Sequence, residues 1–383
     1  MFKRLIDNLL QLNSSFFLFG ARGTGKTFWL RDKLPRDSIL LDLLESDTFI
    51  KLQNRPQHLT EIIPENYKGW IVIDEIQKIP ELLNEVHRLI ELKNYKFILT
   101  GSSARSLRKK GVNLLGGRAF TYKLYPLTAE ELEARWNINK ALEFGMLPSV
   151  YSRNKNQPKK YLESYIQTYL KEEVLQEGLT RNLGTFSRFM EVASFSQGSI
   201  LNMTEIAREA QINRKVVEGY FSLLEDLLIA HRITVFTKKA KRKLISHPKF
   251  YYFDTGVYRI LRQIGPMDTA SEIDGTSLET LTLQHLIAIN EYYELGYKIY
   301  YWRTKHGLEI DFILYGQKGL IAIEIKNSKN IHSKNLKALK SFKEDYKVAK
   351  LYVFYRGNKK LHLEDIEIIP ADYGLKNLRN ILS

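Results

Sequence analysis

Gly20-Ala21-Arg22-Gly23-Thr24-Gly25-Lys26-Thr27 fits the pattern G-x-x-x-x-G-K-[ST] without a gap, and its reading decides the rest of the chain. The residues before it, Phe16-Phe17-Leu18-Phe19, form a short apolar run, and Thr27 to Lys33 after it have helical character. Strand, glycine-rich turn and helix is the context in which this pattern binds phosphate. Glycines let backbone N–H groups curl around an anion, and the helix N-terminus adds a favourable dipole. Lys26 is expected on the β- and γ-phosphates and the Thr27 hydroxyl on Mg²⁺. ATP is the expected ligand and ADP its product.

A matching carboxylate pair follows. Ile71-Val72-Ile73-Asp74-Glu75 is an apolar strand that delivers Asp74 to the metal and Glu75 to where a base can orient the attacking water. Phe97 to Leu99 ends in Thr100-Gly101-Ser102-Ser103, which offers a hydroxyl near the γ-phosphate. Ser102 is the expected sensor, and a capped turn is the alternative. Apolar runs at Phe16 to Phe19, Ile39 to Leu41, Trp70 to Ile73 and Phe97 to Leu99 alternate with helix-compatible segments. That pattern implies a parallel sheet covered on both faces, with ligands at the strand C-termini.

Composition fits more than one such domain. The chain has 383 residues with 44% hydrophobic, enough for two or three cores. Lys and Arg number 58 against 43 Asp and Glu, a net charge of +15 that leans toward the C-terminal two-thirds. Such an excess favours a polyanionic partner, nucleic acid or an anionic membrane, with surface lysines that keep the chain in solution as the alternative; DNA is the expected partner. The absence of cysteine excludes disulfides, thiolate metal sites and a cysteine nucleophile. The eight histidines show no metal-ligand spacing. The N-terminus is broken by Asp7, Asn8 and Gln11, unlike a signal core. Nowhere do about 18 apolar residues run together. A cytoplasmic protein without a membrane span is expected.

Beyond Tyr125-Pro126-Leu127-Thr128 the chain reads as mainly helical to Phe195, a lid on the nucleotide core. Asn202 to Ala210, a tight turn, and Arg214 to Ile229 read as helix-turn-helix, followed by strands at Ile233 to Phe236 and Phe250 to Phe253. That order is a winged helix-turn-helix. Arg208, Arg214 and Lys215 flank the turn, and the run Lys238 to Lys243 sits at the wing tip, to ride on phosphates or to be a solvated loop. From Gly275 the order is helix, three strands, helix and strand.

Glu309-Ile310-Asp311, a turn, and Glu324-Ile325-Lys326 lie on successive strands, and alternation puts Glu324 and Lys326 on one face. Asp311 and Glu324 can share Mg²⁺, or Mn²⁺, while the lysine aligns water for phosphodiester hydrolysis. Close carboxylates repel, and Lys326 neutralises only one of them, which points to a cation between them. The alternative is a structural hairpin with a salt bridge.

The run from Trp70 to Gln77, Phe97 to Ser103, Leu114-Leu115-Gly116-Gly117-Arg118, Phe144-Gly145-Met146-Leu147-Pro148, the segment from His247 to Gly256 and Gly275 to Glu279 together resemble AAA-type ATPases that carry a DUF4143 C-terminal region. Relatives tend to have paired glycines where this chain has Gly145-Met146. The resemblance implies that Arg118 is an arginine finger acting on a neighbouring subunit of a homo-oligomer. The C-terminal pattern resembles the PD-(D/E)XK nuclease superfamily, which implies that Glu279 on the preceding helix completes a catalytic set with Asp311, Glu324 and Lys326. The expected architecture is α/β: a P-loop parallel-sheet ATPase core (1–132), a helical lid with winged helix-turn-helix (133–245) and a restriction-endonuclease-like α/β domain (246–383).

Overall fold

The apolar runs around the glycine-rich turn become neighbours in one parallel sheet. The structure is a computed structural model, and it describes residues 2–105, 107, 115–153, 157–170, 174–175, 182–237, 247–266 and 268–383. The chain divides into two units, Met1–Tyr125 with Asp226–Leu228, and Pro126–Glu225 with Ile229–Ser383. No helix among the described residues is long and apolar enough to cross a membrane.

In the first unit, strands β1 (Ser15–Phe19), β2 (Ile39–Asp42), β3 (Trp70–Asp74), β4 (Lys96–Gly101) and β5 (Ala119–Lys123) form an all-parallel sheet of order β2-β3-β4-β1-β5. Every residue of β1 and β3 is buried, as expected when both faces are covered. Phe17, Ile71, Ile73, Phe97 and Leu99 share a core with Leu83, Val86 and Leu89 of the helix Leu82–Lys93. Edge strand β5 has no apolar run to announce it, and Phe120 is exposed. The order matters for the site. Because β4 lies between β1 and β3, Thr100 at its end stands between the glycine-rich turn and Asp74.

The second unit begins with helices and ends in an eight-stranded sheet. Its strands are β6 (Ala230–Val235), β7 (Lys249–Tyr252), β8 (Lys298–Arg303), β9 (Glu309–Gly316), β10 (Gly319–Lys326), β11 (Lys350–Tyr355), β12 (Leu361–Leu363) and β13 (Ile366–Pro370), in the order β12-β13-β11-β10-β9-β8-β6-β7. Two helices, Met203–Ala210 and Arg214–Asp226, stand where the sequence suggests a helix-turn-helix. The following strands β6 and β7 pair antiparallel, yet they do not form a separate wing. β6 also pairs in parallel with β8, Thr234 opposite Tyr300, so the hairpin is the edge of the C-terminal sheet. The basic run Lys238 to Lys243 lies outside the described residues. Phe236 explains the attachment, since its ring packs among Tyr300, Tyr315, Phe342 and Tyr346.

Two of the sequence motifs interlock in this unit. Asp254 caps the helix Thr255–Leu261 by accepting the Gly256 and Val257 N–H groups, and it also accepts the Met146 N–H at 2.6 Å. Gly145 has φ +77°, and a Cβ there would lie 2.0 Å from Asp254 Oδ1. Gly145 is therefore the glycine this turn requires, and the second position tolerates the buried Met146 side chain. Gly145→Ala should cost on the order of 3 kcal/mol, combining the strain of a backbone conformation open essentially to glycine alone with the clash. Gly117, with φ +81° and open space around it, should cost only about 1 kcal/mol as Gly117→Ala. Equal losses in denaturant unfolding of the two variants would contradict this account.

His285, on the helix Ala270–Tyr292, donates from Nδ1 to Leu281 O and accepts the Ala129 N–H on Nε2 at 2.9 Å. It is fully buried, and burial pushes its pKa down to about 4. A proton on Nε2 would face the Ala129 N–H directly. The folded value lies below the unfolded one of about 6.5, so this stabilisation is complete above pH 6.5 and lost as pH falls toward 4. The loss is about 3 kcal/mol. Urea unfolding followed by fluorescence of Trp136, whose ring lies 5.6 Å from that of His285, should show it, and His285→Gln should flatten the pH dependence. Identical slopes in parent and variant would refute it.

Candidate functional site

The candidate nucleotide site is built at the C-terminal ends of β1, β3 and β4. Gly20 leaves β1, and a Cβ on it would lie 2.5 Å from Leu124 O. Gly23 and Gly25 take φ +84° and +95°, conformations that other residues resist. Gly25 is the N-cap of the helix Lys26–Lys33, so the turn opens onto a helix N-terminus. Ala21 is buried, Arg22 is half-buried, and the Thr24 hydroxyl closes the loop by donating to Ala21 O. Lys26 lies across its own loop and donates from Nζ to Gly20 O at 2.6 Å. Behind the loop, the buried guanidinium of Arg4 donates to Thr24 O at 2.8 Å and to Tyr125 O at 2.7 Å.

Asp74 is fully buried, and both of its oxygens accept from hydroxyls. Thr27 Oγ1 donates to Oδ2 at 2.8 Å, and Thr100 Oγ1 donates to Oδ1. The partner from β4 is thus Thr100, while Ser102 lies further along and is 3.5 Å from the Gln77 amide. Glu75 sits next to Asp74 in the left-handed region, φ 63° and ψ 45°, and its N–H donates to Thr100 Oγ1 at 3.3 Å. A strained backbone at a non-glycine residue persists only where the surroundings enforce it, as at functional sites. The Gln77 amide donates to the Glu75 carboxylate, while Gln77 Oε1 is buried with no hydrogen-bond partner.

Sequence reasoning missed Gln77 and Arg4. The first has a weak local signal, a polar side chain one short 3₁₀ turn beyond the acid. The second has none, because its partners are backbone carbonyls far along the chain. Arg118 lies apart from this network, pairing with Glu91 and donating to Gly116 O at 3.2 Å.

In the second unit the structure brings together Glu279 on the helix Ala270–Tyr292, Asp311 on β9, and Glu324 and Lys326 on β10. Asp311 Oδ2 accepts the Ile325 N–H at 2.8 Å, and Lys326 Nζ donates to Glu324 Oε1. Tyr251 OH donates to Glu279 at 3.1 Å, and Gly198 leaves just enough room beside that carboxylate. Burial, and then the charge of Asp311, push Glu279 up to about 8 and lift Glu324 well above the usual carboxylate range. Burial also raises Asp311, against the pull of Lys249 and Lys326. Glu324 Oε2 is buried and has no hydrogen-bond partner.

Sequence reasoning also missed Lys249 on β7, whose side chain is 2% exposed. It pairs with Glu309 and stands 3.8 Å from Asp311 Oδ1. Burial disfavours its ammonium, but Asp311, Glu279 and Glu309 together hold its pKa above the ordinary lysine value. Lys326 is therefore not the sole cation at the carboxylates. Two lysines stand there, and Arg303 holds Glu309 at 3.0 Å. Among the described residues no three His, Asp or Glu side chains converge closely enough to hold a metal ion; Asp311 Oδ2 accepts the Ile325 N–H, and Oδ1 lies 3.8 Å from the Lys249 ammonium. The Lys249 ammonium thus stands near Asp311, where the sequence leads one to expect a cation shared with Glu324.

The helix pair Met203–Ala210 and Arg214–Asp226 exposes Arg208, Arg214 and Lys215, with Arg214 3.0 Å from Glu218. The apolar face of Arg214–Asp226 is core, as its sequence suggests: Tyr220 and Phe221 pack edge-on against Phe186 and Phe189 respectively.

Residues 13–133 match the AAA domain family, residues 135–268 a domain of unknown function (DUF8612), and residues 274–373 a domain of unknown function (DUF4143). An uncharacterized protein of Mycobacterium tuberculosis is 25% identical over 79% of this chain and 69% of its own length. Another from Methanocaldococcus jannaschii is 23% identical over 96% of this chain and 88% of its own. Among solved structures, the Aeropyrum pernix ORC1 protein in complex with DNA is 14% identical, covering 74% of this chain and 91% of that one with a TM-score of 0.27.

Proposed function

We propose that this chain, with its AAA domain and its DUF4143 domain, is a magnesium-dependent ATP hydrolase that works as a switch on DNA without cutting it. The observation that carries the first half is the buried Asp74, bonded at once to Thr27 of the glycine-rich loop and to Thr100 of β4. Thr27 and Asp74 are the residues that would hold Mg²⁺, which when bound offsets the charge of the terminal phosphates. Lys26 exchanges its bond to Gly20 O for the phosphates, and the loop N–H groups hold their oxygens. Glu75 orients water for attack on the γ-phosphorus and accepts its proton, as the bond to the ADP oxygen breaks. Gln77 fixes the Glu75 carboxylate through its amide. In an oligomer, Arg118 would serve a neighbouring subunit's nucleotide.

Lys26→Ala should abolish nucleotide binding, because the lysine holds phosphate in the ground state. Glu75→Gln should bind ATP normally and turn over at least about 100-fold more slowly, because the glutamate acts only on the water. Equal turnover by Glu75→Gln and the parent would sink the assignment.

DNA engagement is supported by the net charge of +15 and by the exposed Arg208, Arg214 and Lys215 at the helix-turn-helix. Replacing these three by Gln should weaken DNA binding and flatten its salt dependence by about one counterion per lost phosphate contact. An unchanged salt slope would place DNA elsewhere. A second reading, cleavage by Glu279, Asp311, Glu324 and Lys326, is favoured by one observation, the buried Glu324 Oε2 that no hydrogen bond satisfies. Strand scission with Mg²⁺ or Mn²⁺ that Asp311→Asn removes, while ATPase activity is kept, would establish it over the non-cleaving switch.

A further inference from the structure

Lys249 lies in the segment from His247 to Gly256, part of which Asp254 and Gly256 explain by locking the turn at Gly145. The lysine itself has no part in that lock. Its side chain is buried at 2% exposure on β7, pairs with Glu309, and stands 3.8 Å from Asp311 Oδ1 and 5.6 Å from the centre of the Tyr301 ring. An ammonium is costly to bury unless opposite charges surround it. Glu279, Glu309 and Asp311 provide them, and the benefit is mutual, since those carboxylates are equally costly to bury together. The remaining charged groups are already engaged: Arg303 on Glu309, and Lys326 on Glu324. Asp311 has its other oxygen on the Ile325 N–H. A divalent cation bound to Asp311 would therefore stand beside the Lys249 ammonium, two like charges sharing one carboxylate.

We propose that Lys249 is the resident counter-ion of the C-terminal carboxylate cluster, occupying the position at Asp311 that a divalent cation would need, so that the chain keeps these carboxylates buried without a metal. Removal of the lysine should then create a cation site where the intact chain has none.

The test uses the full chain, freed of metal and nucleotide, with Mn²⁺ as probe in calorimetry and thermal unfolding. Lys249→Met should unfold at a lower temperature than the parent, and millimolar Mn²⁺ should restore much of the difference while leaving the parent unmoved. The variant should bind Mn²⁺ about tenfold or more tightly than the parent does, as expected when a positive charge about 4 Å away is removed. Adding Asp311→Asn to the variant should abolish that gain. Mn²⁺ binding and stabilisation of the parent equal to those of the variant would overturn the proposal, and so would a variant that Mn²⁺ neither binds nor rescues. If Lys249→Met does not fold, Lys249→Met with Glu309→Gln, which removes one carboxylate along with the lysine, must fold. Its failure to fold would also overturn the proposal.

Discussion

The arrangement of the candidate nucleotide site depends on one buried carboxylate. Asp74 has no access to solvent, and a polar group so placed is tolerated only when protein groups replace its water. The hydroxyls of Thr27 and Thr100 do so. The consequence is geometric, because those partners come from the loop after β1 and the end of β4. A strand must therefore separate the loop from the acid, and the sheet order β2-β3-β4-β1-β5 meets that demand. Glu75 follows from the same constraint. With its neighbour fixed and its own N–H on Thr100, its backbone is held in a conformation it would not adopt freely.

The loop and the acids of the candidate nucleotide site were legible in the sequence. Gly20 to Thr27 and Asp74-Glu75 are local patterns, and strands β1, β3 and β4 are continuous apolar runs that parallel pairing requires. The hairpin carrying Asp311, Glu324 and Lys326 was legible too, because alternation along a strand fixes which side chains share a face. What stayed hidden depends on partners distant in the chain. β5 is half-exposed at a sheet edge and has no apolar run. Lys249 opens an aromatic strand, Lys-Phe-Tyr-Tyr, and nothing local indicates that its ammonium turns inward toward acids on β9. The need for glycine at 145 is likewise visible only once Asp254 is beside it.

The two sites handle negative charge by different means. At Asp74 the compensation is by neutral hydroxyl donors. In the C-terminal cluster it is by cations, with Lys249, Lys326 and Arg303 set against Glu279, Glu309, Asp311 and Glu324. Removing one member of such a network leaves the others buried and unpaired, which costs more than the lost pair itself was worth. The carboxylates can therefore be retained for the integrity of the sheet, whatever chemistry they perform.

The placement of β6 between β7 and β8 bears on how the chain is made. A ribosome releases Ala230–Val235 ahead of both its sheet neighbours; β7 follows soon after, whereas the partner Tyr300 arrives only when the chain has lengthened from Thr234 past the long helix Ala270–Tyr292. At about 5–20 residues per second, the interval is on the order of several seconds. Unpaired edges invite association with other nascent chains, and charges on an edge strand discourage it. His231 and Arg232 lie on this strand, half-buried in the finished sheet. The edge of β6 that β8 covers in the finished sheet thus stays open for as long as the ribosome takes over the segment between them.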